Sequence, residues 1–383
     1  MTDPSSTDQT PDIEDEDRLP IEGEDNPQSQ GWDTYPLDSV FVRQEQRTVI
    51  DVVRRINQGR YELNPDFQRD FVWPQDKQSR LIESCLMRLP LPVFYVAESK
   101  LGGIIVVDGL QRLTTFKKFL NNEFSLALPS DTDSDDHTKR HTLNGKKFNE
   151  LDIPLRERIE DTQLIFYIID SIAPERAKLD IFERVNGGVP LTRQQMRNCL
   201  YNGPATRWLK EVAQMPSFKT AMGNYLAIDK MQDREAINRF CSFKLLGVET
   251  YKGNHDEFMA QTLEQMNAMS GQALADLQQT FDESMRHNRL LFGRHAFRKS
   301  MFHLNQWARR SPINIALFDV CSVLFSEISA TQVETHKGEI RQAFSDLLQE
   351  GPFLWSISSA TGNKKNVLDR FSLARKKLQG VFS

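Results

Sequence analysis

The sequence has no long apolar run and only four cysteines in 383 residues. No segment approaches the roughly 20 apolar residues that a membrane-spanning helix needs, and the acidic N-terminus does not resemble a signal peptide. We therefore expect a cytoplasmic protein with no membrane partner. The cysteines stand singly in apolar surroundings, without the spacing of metal ligands, which predicts buried free thiols. They are Cys85, Cys199, Cys241 and Cys321.

Several catalytic motifs are also absent. The chain has no Gly-x-x-x-x-Gly-Lys-Ser/Thr phosphate loop and no Ser-His-Asp or Cys-His order typical of a nucleophilic enzyme. His287, His295 and His303 recur every eight residues, but this spacing moves around a helix instead of staying on one face. Helix-surface or core histidines are therefore favoured over a metal site. For His137 and His141, a charged surface loop is favoured for lack of a rigid ligand frame.

Charge is unevenly distributed along the chain. Residues 1–36 hold 11 Asp or Glu and one basic residue, Arg18, whereas the remainder holds 42 acidic and 47 basic residues. A segment so acidic and so poor in large apolar side chains cannot bury enough surface to fold, and we expect a disordered leader. Two roles stay open for it. It solvates the N-terminus, or it competes with nucleic acid for the mildly basic remainder.

The most informative local pattern is a strand that turns into a helix. Ile104–Val107 is β-favouring, and Asp108-Gly109 ends it. The residues that follow have apolar side chains at helical spacing: Leu113, Phe116, Phe119 and Leu120. A helix N-terminus offers backbone N–H groups, Gly109 would let a ligand approach, and Arg112 adds a forked cation suited to phosphate. The alternative is a plain strand-helix turn with a solvated Arg112.

A second arginine, Arg69, stands upstream in the aromatic, Pro-bounded loop Asn64–Pro74. The pattern then predicts a helix over Gln75–Leu89 and a strand over Val93–Val96, followed by a tight turn into the strand before Gly109. One helix and one hairpin therefore separate the two arginine loops. In a compact α/β unit, this separation is short enough for the loops to face each other.

Five motifs occur in order: Asn64–Arg69, Leu81–Ser84, Leu89–Pro92, Val107–Leu113 and Ile181–Thr192. Their succession resembles the N-terminal domain of GmrSD-type, modification-dependent restriction proteins over roughly residues 45 to 203. The resemblance implies a ParB/sulfiredoxin-like fold in which a Gly-x-x-Arg turn handles nucleotide phosphates. The family signature is Asp-Gly-Gln-Gln-Arg, and this chain has Leu110 in place of the first Gln. That departure bears on base selectivity or rate more than on phosphate binding.

The resemblance also implies a site. The expected nucleotide-binding residues are Gln68, Arg69, Gly109, Gln111, Arg112, Arg184 and Asn186. The expected catalytic residues are Arg69, Asp108, Gln111 and Arg112. In this scheme Arg69 stabilises developing charge, Gln111 orients water or base, and Asp108 holds Mg²⁺. The segment with Arg184 and Asn186, which precedes the capping box Thr192–Gln195, is expected to form a third wall of the nucleotide site. Its residues alone favour a purely structural helix-turn-helix corner.

From Gly203 onward the pattern is helical nearly throughout. We therefore expect an α+β chain with an acidic leader (1–36), a ParB/sulfiredoxin-like nucleotide-binding domain (37–203) and a helical domain (204–383). Two basic clusters in the helical domain are read as solvated faces, with DNA contact as the alternative. They are Arg286, Arg289, Arg294, Arg298 and Lys299, and Lys364, Lys365, Arg370, Arg375, Lys376 and Lys377.

Family members typically carry a C-terminal HNH nuclease domain, and no His cluster for one is evident among residues 255–336. We therefore expect an NTP-binding and NTP-hydrolysing sensor of an anti-phage restriction system that does not cut DNA on its own. Its expected ligands and partners are a nucleoside triphosphate with Mg²⁺, DNA and a separate nuclease subunit. The alternative function is a non-catalytic DNA-binding module that uses the same cationic cleft. A complete nuclease has the least support.

The charge distribution predicts an effect of deleting residues 1–36. If these residues compete for the basic remainder, the shortened chain binds non-specific DNA more tightly at low salt, because the competing carboxylates are gone. The gain shrinks as salt rises. The measurement is a titration of labelled duplex DNA with both chains over a range of salt concentrations. Equal affinities at every concentration would leave the segment with a solvating role alone.

Overall fold

The computed structural model describes residues 21–22, 42–63, 73–99, 102–128, 142–185, 192–223, 226–305 and 307–382. The chain divides into two compact units. The sheet unit is the described part of residues 30–202, and the helical unit is the described part of residues 1–29 and 203–383. The α+β class with a helical C-terminal region is thereby confirmed.

The sheet unit contains five strands and six α-helices within its described residues. The strands are β1 (Val42–Thr48), β2 (Tyr61–Glu62), β3 (Phe94–Glu98), β4 (Ile104–Asp108) and β5 (Gln163–Ile169). The helices are α1 (Val49–Asn57), α2 (Gln75–Leu86), α3 (Leu110–Leu120), α4 (Ile153–Glu160), α5 (Glu175–Val185) and α6 (Arg193–Leu200). The strand order is β1-β5-β3-β4-β2. Pairing is antiparallel for β1–β5 and β3–β4, and parallel for β5–β3 and β4–β2.

Both faces of the sheet are covered, as the continuous apolar run in β5 predicts. One face carries the larger core, in which Phe94 stacks on Phe166 with ring centroids 5.1 Å apart, and α1 to α4 contribute apolar side chains to it. The other face carries a smaller core that joins Val107 of β4 to Phe182 of α5 and Met196 of α6. Because β4 lies between two apolar layers, its C-terminal end is held firmly where the chain turns into α3.

The helical unit contains ten α-helices within its described residues. They are α7 (Pro204–Val212), α8 (Pro216–Met222), α9 (Gln232–Leu245), α10 (His255–Asn267), α11 (Gly271–Phe292), α12 (Ile315–Leu324), α13 (Ala330–Thr335), α14 (Lys337–Leu347), α15 (Gly351–Ser356) and α16 (Lys364–Phe382). In the part of the chain that the structure describes, no helix has the length and apolar content needed to cross a bilayer. The four cysteines are buried free thiols, as predicted, and burial raises the pKa of the Cys85 thiol to about 11.

A buried ionic cluster joins three helices of this unit. The Asp319 carboxylate of α12 is fully buried and accepts from Arg239 of α9, with Nη2 2.6 Å and Nε 2.9 Å from its oxygens. Arg370 of α16 donates to the same carboxylate over 3.0 Å and to the Thr361 carbonyl. Each buried charge thus has a counter-charge or a hydrogen-bond partner, which offsets the cost of desolvating it. The cluster therefore fixes α9, α12 and α16 against one another.

The structure shows the surroundings of the two basic runs, which the sequence interpretation placed on solvated surfaces. Arg370 is fully buried, and Arg298 is buried and donates to the Ser311 carbonyl. Others are paired with acidic side chains: Arg286 with Asp282 at 2.7 Å, and Lys377 with Glu350 at 2.7 Å. The solvated interpretation is therefore wrong for Arg298 and Arg370, whereas Arg286, Arg289, Lys364, Lys365 and Lys376 are exposed, as it predicts.

The ionic cluster predicts a large effect of Asp319→Ala. Removing this carboxylate leaves two buried guanidinium groups without their counter-charge, and we expect a loss of about 3–5 kcal/mol in the free energy of unfolding. The measurement is thermal and urea-induced unfolding followed by circular dichroism. Asp276→Ala is the matched control, because Asp276 is exposed on α11 and should cost less than about 0.5 kcal/mol. Equal effects of the two substitutions would contradict the assigned role.

Candidate functional site

The predicted turn from strand to helix is present. β4 ends at Asp108, Gly109 adopts a left-handed conformation with φ of 100°, and α3 starts at Leu110. Gly109 is the residue before the helix, and no side chain caps the first turn. An α-helix leaves its first N–H groups without acceptors from its own backbone, and these carry the positive end of the helix dipole. The turn therefore has the backbone polarity that favours an anion.

Gly109 is needed for packing at this turn. A Cβ atom added there would lie 2.3 Å from Cδ1 of Phe94, well inside van der Waals contact. The sequence interpretation gave Gly109 the role of letting a ligand approach the backbone. The structure shows that the ring of Phe94, the first residue of β3, occupies the space where a side chain would lie.

Arg112 points inward and is buried. Its guanidinium donates to the carbonyl of Pro92, to that of Val93 at 3.1 Å and to Asp108 Oδ2 at 3.0 Å, and lies 4.2 Å from the Phe94 ring centre. Burial lowers the pKa of Arg112, and the Asp108 charge opposes that shift. The solvated alternative is therefore wrong for Arg112. Its guanidinium ties the entry of β3 to the end of β4.

Two other predicted residues of the turn remain accessible. The Asp108 side chain is 41% exposed although it pairs with Arg112, and Gln111 is half-buried. Leu110, which replaces the Gln of the family signature, packs in the larger core. Of the first two side chains of α3, Leu110 is therefore buried in the core, whereas Gln111 is partly exposed. The accessible chemistry of the described turn is a carboxylate, a carboxamide and a helix N-terminus.

The remaining predicted site residues are described in part or not at all. Gln68, Arg69 and Asn186 lie outside the described residues, and Arg184 belongs to α5, of which the structure describes the backbone at that position. The capping box before α6 is confirmed. Thr192 Oγ1 accepts from the Gln195 N–H at 3.2 Å, and the Gln195 side chain accepts from the Thr192 N–H at 2.7 Å.

Sequence reasoning missed a buried polar row on α6, which packs against β4. Arg197 is fully buried and donates from Nε to Gln194 Oε1 over 3.0 Å, and Gln194 Nε2 donates to Asn198 Oδ1 over 2.9 Å. The signal was present, because positions 194, 197 and 198 follow the i, i+3, i+4 spacing of one helix face. Arg197 is therefore a buried cation on the helix that packs against β4.

His137 and His141 lie outside the described residues, among which no group of three or more His, Cys, Asp or Glu side chains is placed to hold a metal ion. His287 and His295 are buried, as the core interpretation predicted. Nδ1 of His287 lies 2.8 Å from the Phe325 carbonyl oxygen, and Nδ1 of His295 lies 2.9 Å from Ser300 Oγ. These histidines are accordingly structural.

The turn geometry predicts that Gly109→Ala is strongly destabilising. The left-handed conformation costs a residue with a Cβ about 1–2 kcal/mol, and overlap with Phe94 adds about 1–3 kcal/mol. Gly102→Ala is the matched control, because Gly102 has φ of 78° in the same unit and nothing within 4 Å of an added Cβ. Urea-induced unfolding of both variants measures the difference. Equal losses would show that Phe94 does not restrict this position.

Comparison with known proteins supports the resemblance found in the sequence. Residues 49–202 match the model of the family described as GmrSD restriction endonuclease, N-terminal domain. No curated protein and no solved structure matches the chain. The match covers the sheet unit from α1 through α6, with the turn at Asp108–Arg112 inside it. Residues 49–202 are therefore similar to the GmrSD N-terminal domain family.

Proposed function

We propose that this protein is a nucleotide-binding and NTP-hydrolysing regulatory component of a DNA restriction system. The observation that carries the proposal is the turn at Asp108–Arg112 inside a GmrSD N-terminal domain. A restriction role follows from the domain, and the nucleotide chemistry follows from the turn. We also propose that the sheet unit shares the ParB/sulfiredoxin-like fold, in which such a turn handles phosphates.

The proposed division of roles follows from burial. The first turn of α3 receives the phosphate groups, because its N–H groups and dipole favour an anion. Gln111, which is half-buried beside them, orients the attacking water or the base. Arg112 acts mainly through Asp108, because its guanidinium already binds two carbonyls and that carboxylate. Arg69, Gln68, Arg184 and Asn186 keep their proposed roles as further walls of the site.

The residues of the turn fit a magnesium ion that arrives with the nucleotide. Mg²⁺ is commonly held by one or two carboxylates together with substrate phosphates and water. Asp108 supplies one partly exposed carboxylate that Arg112 orients. A single carboxylate does not make a stand-alone metal site, in agreement with the lack of a larger ligand cluster among the described residues. Bound Mg²⁺ would neutralise phosphate charge.

DNA and a separate nuclease subunit remain the proposed macromolecular partners. His287 and His295 of the helical unit are buried and hydrogen-bonded to protein groups, so they support no nuclease site of their own. Phosphodiester hydrolysis at neutral pH generally needs a metal-held water or an equivalent activated nucleophile. We therefore propose that this chain senses or regulates and that a partner cuts.

The test is phosphate release by the full chain with each of the four NTPs and Mg²⁺, with and without DNA. We expect Asp108→Asn to lower kcat/KM by about 10-fold to 100-fold, which corresponds to losing one charge-assisted contact. Asp152→Asn is the matched control, because Asp152 is exposed at the start of α4 and caps nothing with its side chain. Arg112 is left unaltered because its substitution would also release β3.

Two outcomes would contradict the proposal. The first is equal activity of Asp108→Asn and wild type, which would remove the carboxylate from the site. The second is DNA binding with steep salt dependence but no phosphate release from any NTP, which would favour the non-catalytic DNA-binding module.

A further inference from the structure

A segment of the helical unit contains no acidic residue. Between Glu283 and Asp319 the chain has seven basic residues and no Asp or Glu. They are Arg286, Arg289, Arg294, Arg298, Lys299, Arg309 and Arg310. The segment lies outside the GmrSD domain match. A stretch with charge of one sign favours a partner of the opposite sign.

The second half of this segment forms a loop with a closed base. We call the described residues 299–305 and 307–311 the Trp307 loop. Its two ends are joined by reciprocal hydrogen bonds, from the Ser300 N–H to Ser311 Oγ at 3.0 Å and from the Ser311 N–H to Ser300 Oγ at 3.1 Å. Next to them, Arg298 and Ile313 form an antiparallel bridge. The base of the loop is therefore fixed by hydrogen bonds between its own two ends.

The loop presents aromatic rings to solvent. Trp307 is 86% exposed, and the rings of Phe302 and His303, also exposed, lie 3.8 Å apart between centroids. Arg309 is exposed two residues after the tryptophan. An indole ring so fully exposed is costly to leave in water and is well suited to stack on another flat ring. The combination of open aromatic faces with cations is typical of surfaces that bind single-stranded nucleic acid.

Two backbone contacts with α14 hold this part of the loop. Ser345 Oγ donates to the Phe302 carbonyl over 2.8 Å, and Arg341 Nη2 donates to the Leu304 carbonyl. The backbone that carries Phe302 and His303 therefore has fixed attachments, which lowers the entropic cost of binding at these two rings.

An acidic residue of this same chain already lies at the base of the loop. The backbone carbonyl of Glu22 accepts from the Ile315 N–H at 2.9 Å, and the Glu22 N–H donates to the Ile313 carbonyl at 2.8 Å, which makes an isolated parallel bridge to Asn314 beside the base. Its carboxylate lies 2.8 Å from Nζ of Lys299. The base of the Trp307 loop thus holds an anionic group, and that group belongs to the acidic N-terminal segment.

We propose that the Trp307 loop binds single-stranded nucleic acid and that Glu22 competes with it for Lys299. Bases stack on Trp307, while Arg309 and Lys299 bind phosphates. A single strand is favoured over a duplex because only unpaired bases expose their faces to an aromatic side chain. Each phosphate that reaches Lys299 displaces the Glu22 carboxylate, which makes this ion pair a built-in restraint on binding. The proposal is independent of the nucleotide site.

Stacking is tested with the full chain and a fluorescently labelled oligo(dT) of about 12 nucleotides, within the usual range of site sizes. We expect Trp307→Ala to weaken binding by about 5-fold to 150-fold. Trp355→Ala is the matched control, because Trp355 is 64% exposed on α15, outside the acid-free segment, and should leave binding unchanged. Unchanged binding by Trp307→Ala, equal losses in the two variants, or equal affinity for a duplex of the same length would overturn the proposal.

Competition is tested with Glu22→Gln. Freeing Lys299 adds one phosphate contact, so oligo(dT) binding should tighten by about 2-fold to 5-fold at low salt. The slope of log affinity against log salt should steepen by about 0.7. Glu350→Gln is the control, because Glu350 and Lys377 form an ion pair of similar length and exposure. An unchanged slope for Glu22→Gln, or the same change in both variants, would overturn the competition.

Discussion

The buried guanidinium of Arg112 is the interaction on which the described part of the site depends. A charged group inside a protein is tolerated only where acceptors replace its water, and Arg112 has two carbonyls and the Asp108 carboxylate. The carbonyls precede β3, and Asp108 ends β4, so one side chain holds the entry of one strand to the end of the next. The Phe94 ring lies beneath the same guanidinium and leaves no room for a side chain at Gly109.

This arrangement has a consequence for any anion at the turn. The positive charge of Arg112 is balanced by Asp108 3.0 Å away, so the pair contributes little net charge. The attraction for a phosphate at the described turn then comes from the N-terminus of α3, which carries about half an elementary charge. That is a modest attraction for a triphosphate. A cation held at the Asp108 carboxylate would supply the missing charge, which is why we link nucleotide binding here to Mg²⁺.

The sequence predicted the elements of the site better than the surroundings of its residues. The strand before Asp108, the helix after Gly109 and the capping box at Thr192 were all recognisable, because period and capping residues are local signals. The burial of Arg112 was missed although position 112 precedes Phe116 by four residues and Phe119 by seven, on one helix face. Asp108 is only four residues upstream, but the two carbonyl acceptors, Pro92 and Val93, lie about 20 residues upstream, and a local pattern does not reveal them. The contact of Gly109 with Phe94 is equally non-local.

The same reasoning explains why two members of the basic runs, Arg298 and Arg370, were misinterpreted as solvated cations. Arg370 belongs by sequence to a lysine-rich run, but it shares a helix face with Val367, Phe371 and Ala374, all buried. Counting charges along the sequence shows only that residue 370 is a cation, whereas the helical period places Arg370 on the buried face, beside Asp319. For Lys299 the sequence did not reveal an ion pair, because its carboxylate partner, Glu22, is 277 positions away in the chain. The charge of the surface therefore depends on which cationic side chains are exposed and which of these already form an ion pair with a carboxylate. At the Trp307 loop, the carboxylate that pairs with Lys299 belongs to Glu22 of the N-terminal segment.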